Sequence, residues 1–414
     1  MLRILPLADA QQFITRKTIR LAEAEQIVAP ILEAVRKRGD EAVLEYARKF
    51  DGLQGASLSV PEAEFVAAEA KVAPEFRAAL DAAAKNIREY ASMQLPKESW
   101  ADFPDGRRLG TIVRPLESMG AYIPAGRYPL PSTLLMTAIP AQVAGVRTIC
   151  VTSPKPSAEI LVASKFLALP HVFRIGGAQA IAALAFGTAS IPKVDRIVGP
   201  GNIYVTAAKK LLAGEVGIDF VAGPTEIVII AEDADPRHIA ADMLAQAEHD
   251  VEASSILLTT SRQLAEAVAA EVSRQLDVLP TAPVARESIR NNSAAILCPS
   301  VDAAVEASNR LAPEHLALYD MSLLPKIQHA GSVFVGPSSP EAAGDYASGP
   351  NHVLPTAGAA RIRGGLSAAD FVKVISVQEL TSDGLKRLAP AITTLARAEG
   401  LEAHARSVEV RLVR

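Results

Sequence analysis

Cysteine, tryptophan and histidine are scarce in this chain of 414 residues, with two, one and seven copies. Two cysteines cannot staple a chain of this length, so no disulfide framework is expected. Cys150 lies in the apolar stretch Arg147 to Thr152 and Cys298 in Ala294 to Cys298, where buried thiols are the expectation. No apolar run approaches the roughly 20 residues of a spanning helix. Met1 to Ala10 offers only a very short apolar patch and no small-residue cleavage site, so no secretory signal is expected and the cytoplasm is the expected compartment. The net charge is only -4, which gives no reason to expect nucleic acid or an anionic membrane as partner. H-E-x-x-H, G-x-S-x-G and a complete G-x-G-x-x-G are also missing, which removes support for zinc-protease and serine-hydrolase chemistry.

What is present is a globular composition, 49% hydrophobic and 21% charged, in a chain too long for one ordinary core. The first hundred residues read as helical. Ile27, Ile31 and Val35 share one face, Val43, Leu44, Ala47 and Phe50 form a second stripe after Gly39-Asp40, and a third helix runs from Pro74 to Ala91. From Gly110 short β-rich runs alternate with Ala-rich helical segments: Gly120 to Ile123, Thr148 to Thr152, Val172 to Ile175, Arg196 to Val198, Glu226 to Ile230, Ser255 to Thr259, Ala294 to Leu297 and Ser332 to Val335. That alternation predicts βαβ units on parallel sheets. A Gly/Pro/Ser-rich loop follows from Gly336 to Gly365, then a helical stretch from Ala368. The expected fold class is α/β, two lobes with small helical appendages at each end. The expected divisions are an appendage at 1-12, a first lobe of 13-121 plus 226-367, a second lobe of 122-225, and a tail at 368-414.

Three loops have the form strand, glycine cluster, helix: Gly120 to Gly126, Gly176-Gly177-Ala178-Gln179, and Gly199-Pro200-Gly201-Asn202. Glycine lets backbone approach a phosphate, and the helix start behind it favours negative charge. Each loop alone reads equally well as a tight turn needed for packing. Three within about a hundred residues favour a nucleotide site without naming it.

Gln246 and His249 stand three apart on a helix capped by Asp235, with Pro236 at its first position, so both leave one face. Asp345 and His352 lie in a glycine- and proline-rich loop, and Glu399 and His404 flank Gly400. Carboxylate, imidazole and amide oxygen together suit Zn²⁺, Mn²⁺ or Co²⁺, although spacing leaves a capping Asp and surface His equally open. In Pro313-Glu314-His315-Leu316, an imidazole beside a carboxylate could serve as a base near neutral pH, or could be a first-turn acid with a chance neighbour.

In their order along the chain these stretches resemble the histidinol dehydrogenase family. The resemblance spans Arg38 to Ala42, the Tyr122 loop, Gly176 to Gly187, Gly199 to Lys209, Ile218 to Glu226, Gln246 to Asp250, Pro313 to Leu316, Asp345 to Thr356 and Glu399 to His404. It implies two incomplete doubly wound, Rossmann-like lobes in an intertwined homodimer, with the 368-414 tail serving the partner's site. It also implies one zinc per subunit held by Gln246, His249, Asp345 and His404, with His404 and Glu399 supplied by the partner subunit. Cofactor contacts for NAD carry over to Tyr122, Gln179 and Asn202. Substrate contacts carry over to Thr225, Gln246, His249, Glu314, Asp345, His352, Glu399 and His404, and catalysis to Glu314 and His315. The implied reaction is four-electron oxidation of L-histidinol to L-histidine through bound histidinal. The alternative is a related zinc alcohol dehydrogenase acting on another small polar alcohol, such as a dihydroxypropanesulfonate. Thr225 stands where a serine is common and Ala125 interrupts a glycine pair. A sulfonate would call for added cations, for which Arg127, Arg361 and Arg363 are the candidates.

Overall fold

The computed structural model describes residues 2-10, 19-125 and 128-412; the Arg127 candidate lies outside them. Two parallel sheets carry the fold. The smaller has five strands in the order His171–Phe173, Thr148–Thr152, Ser118–Tyr122, Arg196–Val198, Gly217–Ile218. The larger has six, in the order Arg3–Pro6, Ala294–Leu297, Ser254–Thr259, Glu226–Ile230, His315–Leu318, Ser332–Val335. Both read as near-continuous apolar runs because helices cover both faces of a parallel sheet; Ile227, Ile229 and Val228, for example, are buried on alternating sides.

In the smaller sheet the chain runs outward from Ser118–Tyr122 in one direction and then restarts at Arg196–Val198 on the other side. The crevice beyond the carboxyl ends of those two strands is a topological switch point, where open α/β sheets take ligands. The first and third glycine loops leave from these two strands.

Five observations correct the sequence reading. Arg3–Pro6 is a strand, not part of a helical appendage; it pairs in parallel with Ala294–Leu297 at the edge of the larger sheet. His315–Leu318, which the sequence reading did not assign to a strand, is a fully buried strand between Glu226–Ile230 and Ser332–Val335, so Glu314 is not a first-turn helix acid. An unexpected antiparallel sheet joins Ser99–Asp102, Arg107–Pro115 and Val372–Leu380, so the tail becomes helical only at Ser382–Ala398 and Glu402–Glu409. Ile27 and Phe50 point outward, while Val28, Leu32, Val35, Val43 and Ala47 are buried, each larger side chain contributing about 1.5–3 kcal/mol.

The fifth concerns grouping. The helices within 19-93 were expected beside the larger sheet, but Val28, Leu32, Val35 and Val43 share a core with Phe173, Ala183 and Val205. Phe65, Leu80 and Ile87 share one with Leu134, Val151 and Val172. The helical N-terminal part therefore covers the smaller sheet, and Val353, Leu366 and Phe371 from beyond the larger sheet reach the same core. Apolar periodicity shows that a helix has a buried face without saying which sheet buries it.

The two sheets meet edge to edge in a defined polarity. Residues 219-225 alone carry the chain from the carboxyl end of Gly217–Ile218 to the amino end of Glu226–Ile230. Across the same junction Asn351 Nδ2 donates to the Met136 carbonyl at 2.6 Å, and Gly223 N–H donates to the Thr356 hydroxyl. The carboxyl edge of the smaller sheet thus adjoins the amino edge of the larger one.

Candidate active site

At the amino edge of the larger sheet, the strands Glu226–Ile230 and His315–Leu318 begin side by side, bringing Thr225, Glu226, Glu314 and His315 together. The helix Pro236–Ala247 runs back antiparallel to its strand, so Gln246 and His249 arrive at the same edge from its C-terminal end. Its start is capped as expected, with the Asp235 side chain accepting from Arg237 N–H. The short helix Glu341–Tyr346 supplies Glu341 and Asp345, four residues apart and so on one face. Donor atoms of His249, Glu341 and Asp345 lie within 4.8 Å of one another.

Glu314 is buried, and its Oε2 lies 2.5 Å from the Thr225 hydroxyl and 3.0 Å from the Glu226 N–H. Burial pushes its carboxyl up to about 8 against the pull of those two hydrogen bonds. His315 is pushed down to about 3 by burial, then by the nearby imidazoles of His249 and His352, so the ring is neutral at physiological pH. Its Nε2 is buried without a hydrogen-bond partner and faces Asp345 Oδ1 at 3.7 Å. Burial also raises Asp345 and lowers His249.

The Glu-His pair of the sequence stays close in space, but a second carboxyl lies nearer the ring. His315 Nδ1 lies 3.9 Å from Glu314 but 3.4 Å from Glu341, whose carboxyl is 1% exposed. Sequence reasoning missed Glu341. The available signal was its position four residues before Asp345, which puts both carboxyls on one face if that stretch is helical. Gln246 packs between these groups: its NH2 reaches Glu341 at 2.5 and 3.1 Å and His315 Nδ1 at 3.1 Å when its oxygen accepts from Thr225 at 2.6 Å.

His352 bridges the two sheets. Its Nδ1 lies 2.7 Å from the Asp345 carbonyl, which fixes the ring proton there, and its Nε2 accepts from the Thr133 hydroxyl at 3.3 Å. Thr133 opens the helix Pro131–Ala144 that follows the first glycine loop. Glu399 and His404, in contrast, are exposed. Among the described residues, no hydrogen bond or ion pair connects either to the cluster.

The cofactor candidates line the other edge of the junction, each tied into loop structure. The Tyr122 hydroxyl accepts from Gly177 N–H at 3.1 Å, and burial pushes its phenol up to about 12. Gln179 is 1% exposed, and its amide donates to Asp51 at 3.0 Å; Asp51 also accepts from Gly176 N–H at 3.0 Å. Asp51, another residue the sequence did not reveal, caps a helix whose own cap residue is glycine. Asn202 caps its own helix, accepting from Tyr204 and Val205 N–H. Gly199 has φ +115°, a Cβ there would strike the Tyr122 carbonyl, and its N–H and C=O are held by the buried Asp219–Lys209 ion pair.

Parallel sheets clad in helices, glycine loops at a switch point and a partly buried nitrogen-and-oxygen donor cluster define a mixed α/β enzyme. Residues 14–412 match the family model for histidinol dehydrogenase. The histidinol dehydrogenase of Geobacter metallireducens is 51% identical over 403 residues, covering 94% of this chain and 92% of the relative. That of Deinococcus radiodurans is 49% identical over 399 residues, covering 94% and 91%. The crystal structure of histidinol dehydrogenase from Elizabethkingia anophelis superposes with a TM-score of 0.95 at 38% identity, covering 99% of this chain and 98% of that one. An acetylating aldehyde dehydrogenase from Geobacillus thermoglucosidasius, at 13% identity and a TM-score of 0.52, shares the fold alone; the alignment covers 90% of this chain and 94% of that one. The chain belongs to the histidinol dehydrogenase family, a family of oxidoreductases.

Proposed function

We propose that the enzyme oxidises L-histidinol to L-histidine in two steps, using two NAD⁺ and one zinc ion per subunit. The observation that carries this is the donor cluster itself, which runs from exposed His249 to fully buried Glu341. His249, Glu341 and Asp345 present converging donors, the two carboxyls raised by burial, and beside them stands the unpartnered Nε2 of His315. Mixed N/O donors of this kind suit zinc. Gln246, His249 and Asp345 would hold it, joined by His404 of a second copy of the chain. Bound zinc would orient the substrate's imidazole and amine and lower the charge of the pocket.

Neutral His315 accepts the alcohol proton as the carbinol carbon gives its hydride to NAD⁺, leaving an aldehyde. Glu314, in its carboxylate form, then takes a proton from water adding to that aldehyde; burial raises this carboxyl to about 8, so the ionised base grows in as the pH rises toward 8. The hydrated aldehyde then loses a hydroxyl proton to His315, which has passed its first proton to solvent, and a second hydride to a second NAD⁺; the carboxylic acid formed ionises to the carboxylate. Thr225, Glu314, His352 and Glu399 line the substrate, and the dinucleotide lies on the Tyr122, Gln179 and Asn202 loops. The switch point beside those loops supports this placement.

Glu399 and His404 stand exposed on the tail, outside the cluster of their own chain. We read this as an intertwined homodimer in which each tail completes the partner's site. A sulfonated substrate is less favoured by the two described arginine candidates. Arg361 donates to the Asn309 and Arg310 carbonyls, and Arg363 to the Asp219 carbonyl and the Asp370 carboxylate. The test is NADH formation from L-histidinol with and without a chelator. The expected result is two NADH per histidinol, lost on chelation and restored by zinc. Turnover of a dihydroxypropanesulfonate but not histidinol would reassign the substrate, and one NADH per histidinol would reject the four-electron course.

A further inference from the structure

Glu341 is a buried acid for which the reaction as described has no use, yet it touches the two residues whose orientation matters most. It lies 3.4 Å from His315 Nδ1 and 2.5 Å from the Gln246 amide nitrogen. Glu314, the acid next to His315 in sequence, is engaged by Thr225 and Glu226 and lies farther from the ring. We propose that Glu341 is the positioning residue of this site, fixing the Gln246 amide toward the metal and the His315 imidazole toward the substrate.

Two geometric facts support this. Glu341 begins the helix that carries Asp345 one turn later, so a single rigid element aims both carboxyls into the cluster. The contact with Gln246 holds in either orientation of the amide: NH2 donates to a carboxylate, or a carboxylic acid donates to the amide oxygen. When the amide oxygen of Gln246 faces His315 Nδ1 at 3.1 Å, Nδ1 carries the ring proton and donates to it, and the bare Nε2 of His315 is the atom left for the substrate's proton. A carboxyl behind an imidazole fixes its tautomer and balances the imidazolium formed on proton transfer. A ligand and a base held by one acid also respond together to its loss.

This inference rests on the zinc and histidinol reading, and the experiment separates the two. Zinc affinity is measured without substrate by competition with a chromogenic chelator, alongside kcat and KM for wild type, Glu341→Ala and Glu341→Gln. Glu341→Ala frees the Gln246 amide, and the expected loss of zinc affinity is about 10–100-fold. Glu341→Gln still bonds the amide but cannot balance the imidazolium. It is expected to keep zinc affinity within about threefold while kcat falls roughly 100-fold and KM for NAD⁺ stays put. Circular dichroism and melting temperature establish folding, and the near-isosteric Gln variant carries the test if Ala does not fold. Wild-type zinc affinity in folded Glu341→Ala, or wild-type kcat in Glu341→Gln, overturns the positioning role. A wild-type protein that neither binds zinc nor turns over histidinol overturns the functional reading and this inference with it.

Discussion

In the smaller sheet the first and third glycine loops leave the carboxyl ends of the strands flanking the switch point, and the second leaves the edge strand His171–Phe173. In the larger sheet Thr225, Glu226, Glu314 and His315 crowd the amino ends of the two strands that flank its own switch point. The carboxyl end of that second crevice, at Ala231 and Tyr319, carries no chemistry we can assign. Open α/β sheets take ligands at carboxyl ends, and in the function proposed above only the smaller sheet does so. The difference follows from how the sheets are joined. Residues 219-225 lead from the carboxyl edge of one to the amino edge of the other, so whatever binds the first sheet projects onto the second. Which edges meet decides where the chemistry sits, and each sheet can then be perturbed separately.

The largest expected effect is on the larger sheet. His315→Asn removes the base and should lower kcat about 10³-fold, with NAD⁺ affinity unchanged by titration calorimetry. If the tail of one chain completes the site of another, mixing this variant with His404→Ala under subunit exchange should restore about a quarter of wild-type activity, from the one intact site in each mixed dimer. No recovery would place both residues in one chain's site. The smallest expected effect lies in the cores: burial pushes the thiols of Cys150 and Cys298 up to about 11. The thiolate is scarce at pH 8, so iodoacetamide should leave the activity of the folded enzyme intact, and reaction should accelerate only as the pH approaches 11 or the chain unfolds.

The same contrast explains what could be read from the sequence. Strands such as Glu226–Ile230 and Thr148–Thr152 were legible because β-branched runs are framed by turn residues. His315–Leu318 was not, because four residues following Pro-Glu carry too little pattern to reveal a strand. Arg107–Pro115 mixes charge, glycine and apolar residues because its sheet is partly exposed. Of the candidate site, Gln246, His249, Glu314, His315, Asp345 and His352 were found as motifs, and the structure brings them together. Glu341 and Asp51 were hidden: each acts through contacts with residues more than twenty positions away, Glu341 on His315 and Gln246 and Asp51 on Gln179 and Gly176, which no local pattern encodes. Glu399 and His404 were equally visible in sequence, but a single chain leaves them outside the cluster.

The central claim is that cofactor and metal occupy opposite sides of the junction between the sheets. It is tested most directly by measuring NAD⁺ and zinc dissociation constants on two variants, Asp51→Asn beside Gln179 and Gln246→Ala at the larger sheet. The account predicts about tenfold weaker NAD⁺ binding with unchanged zinc for the first, and about tenfold or more weaker zinc with unchanged NAD⁺ for the second. Weaker zinc in Asp51→Asn, or weaker NAD⁺ in zinc-free Gln246→Ala, would contradict it.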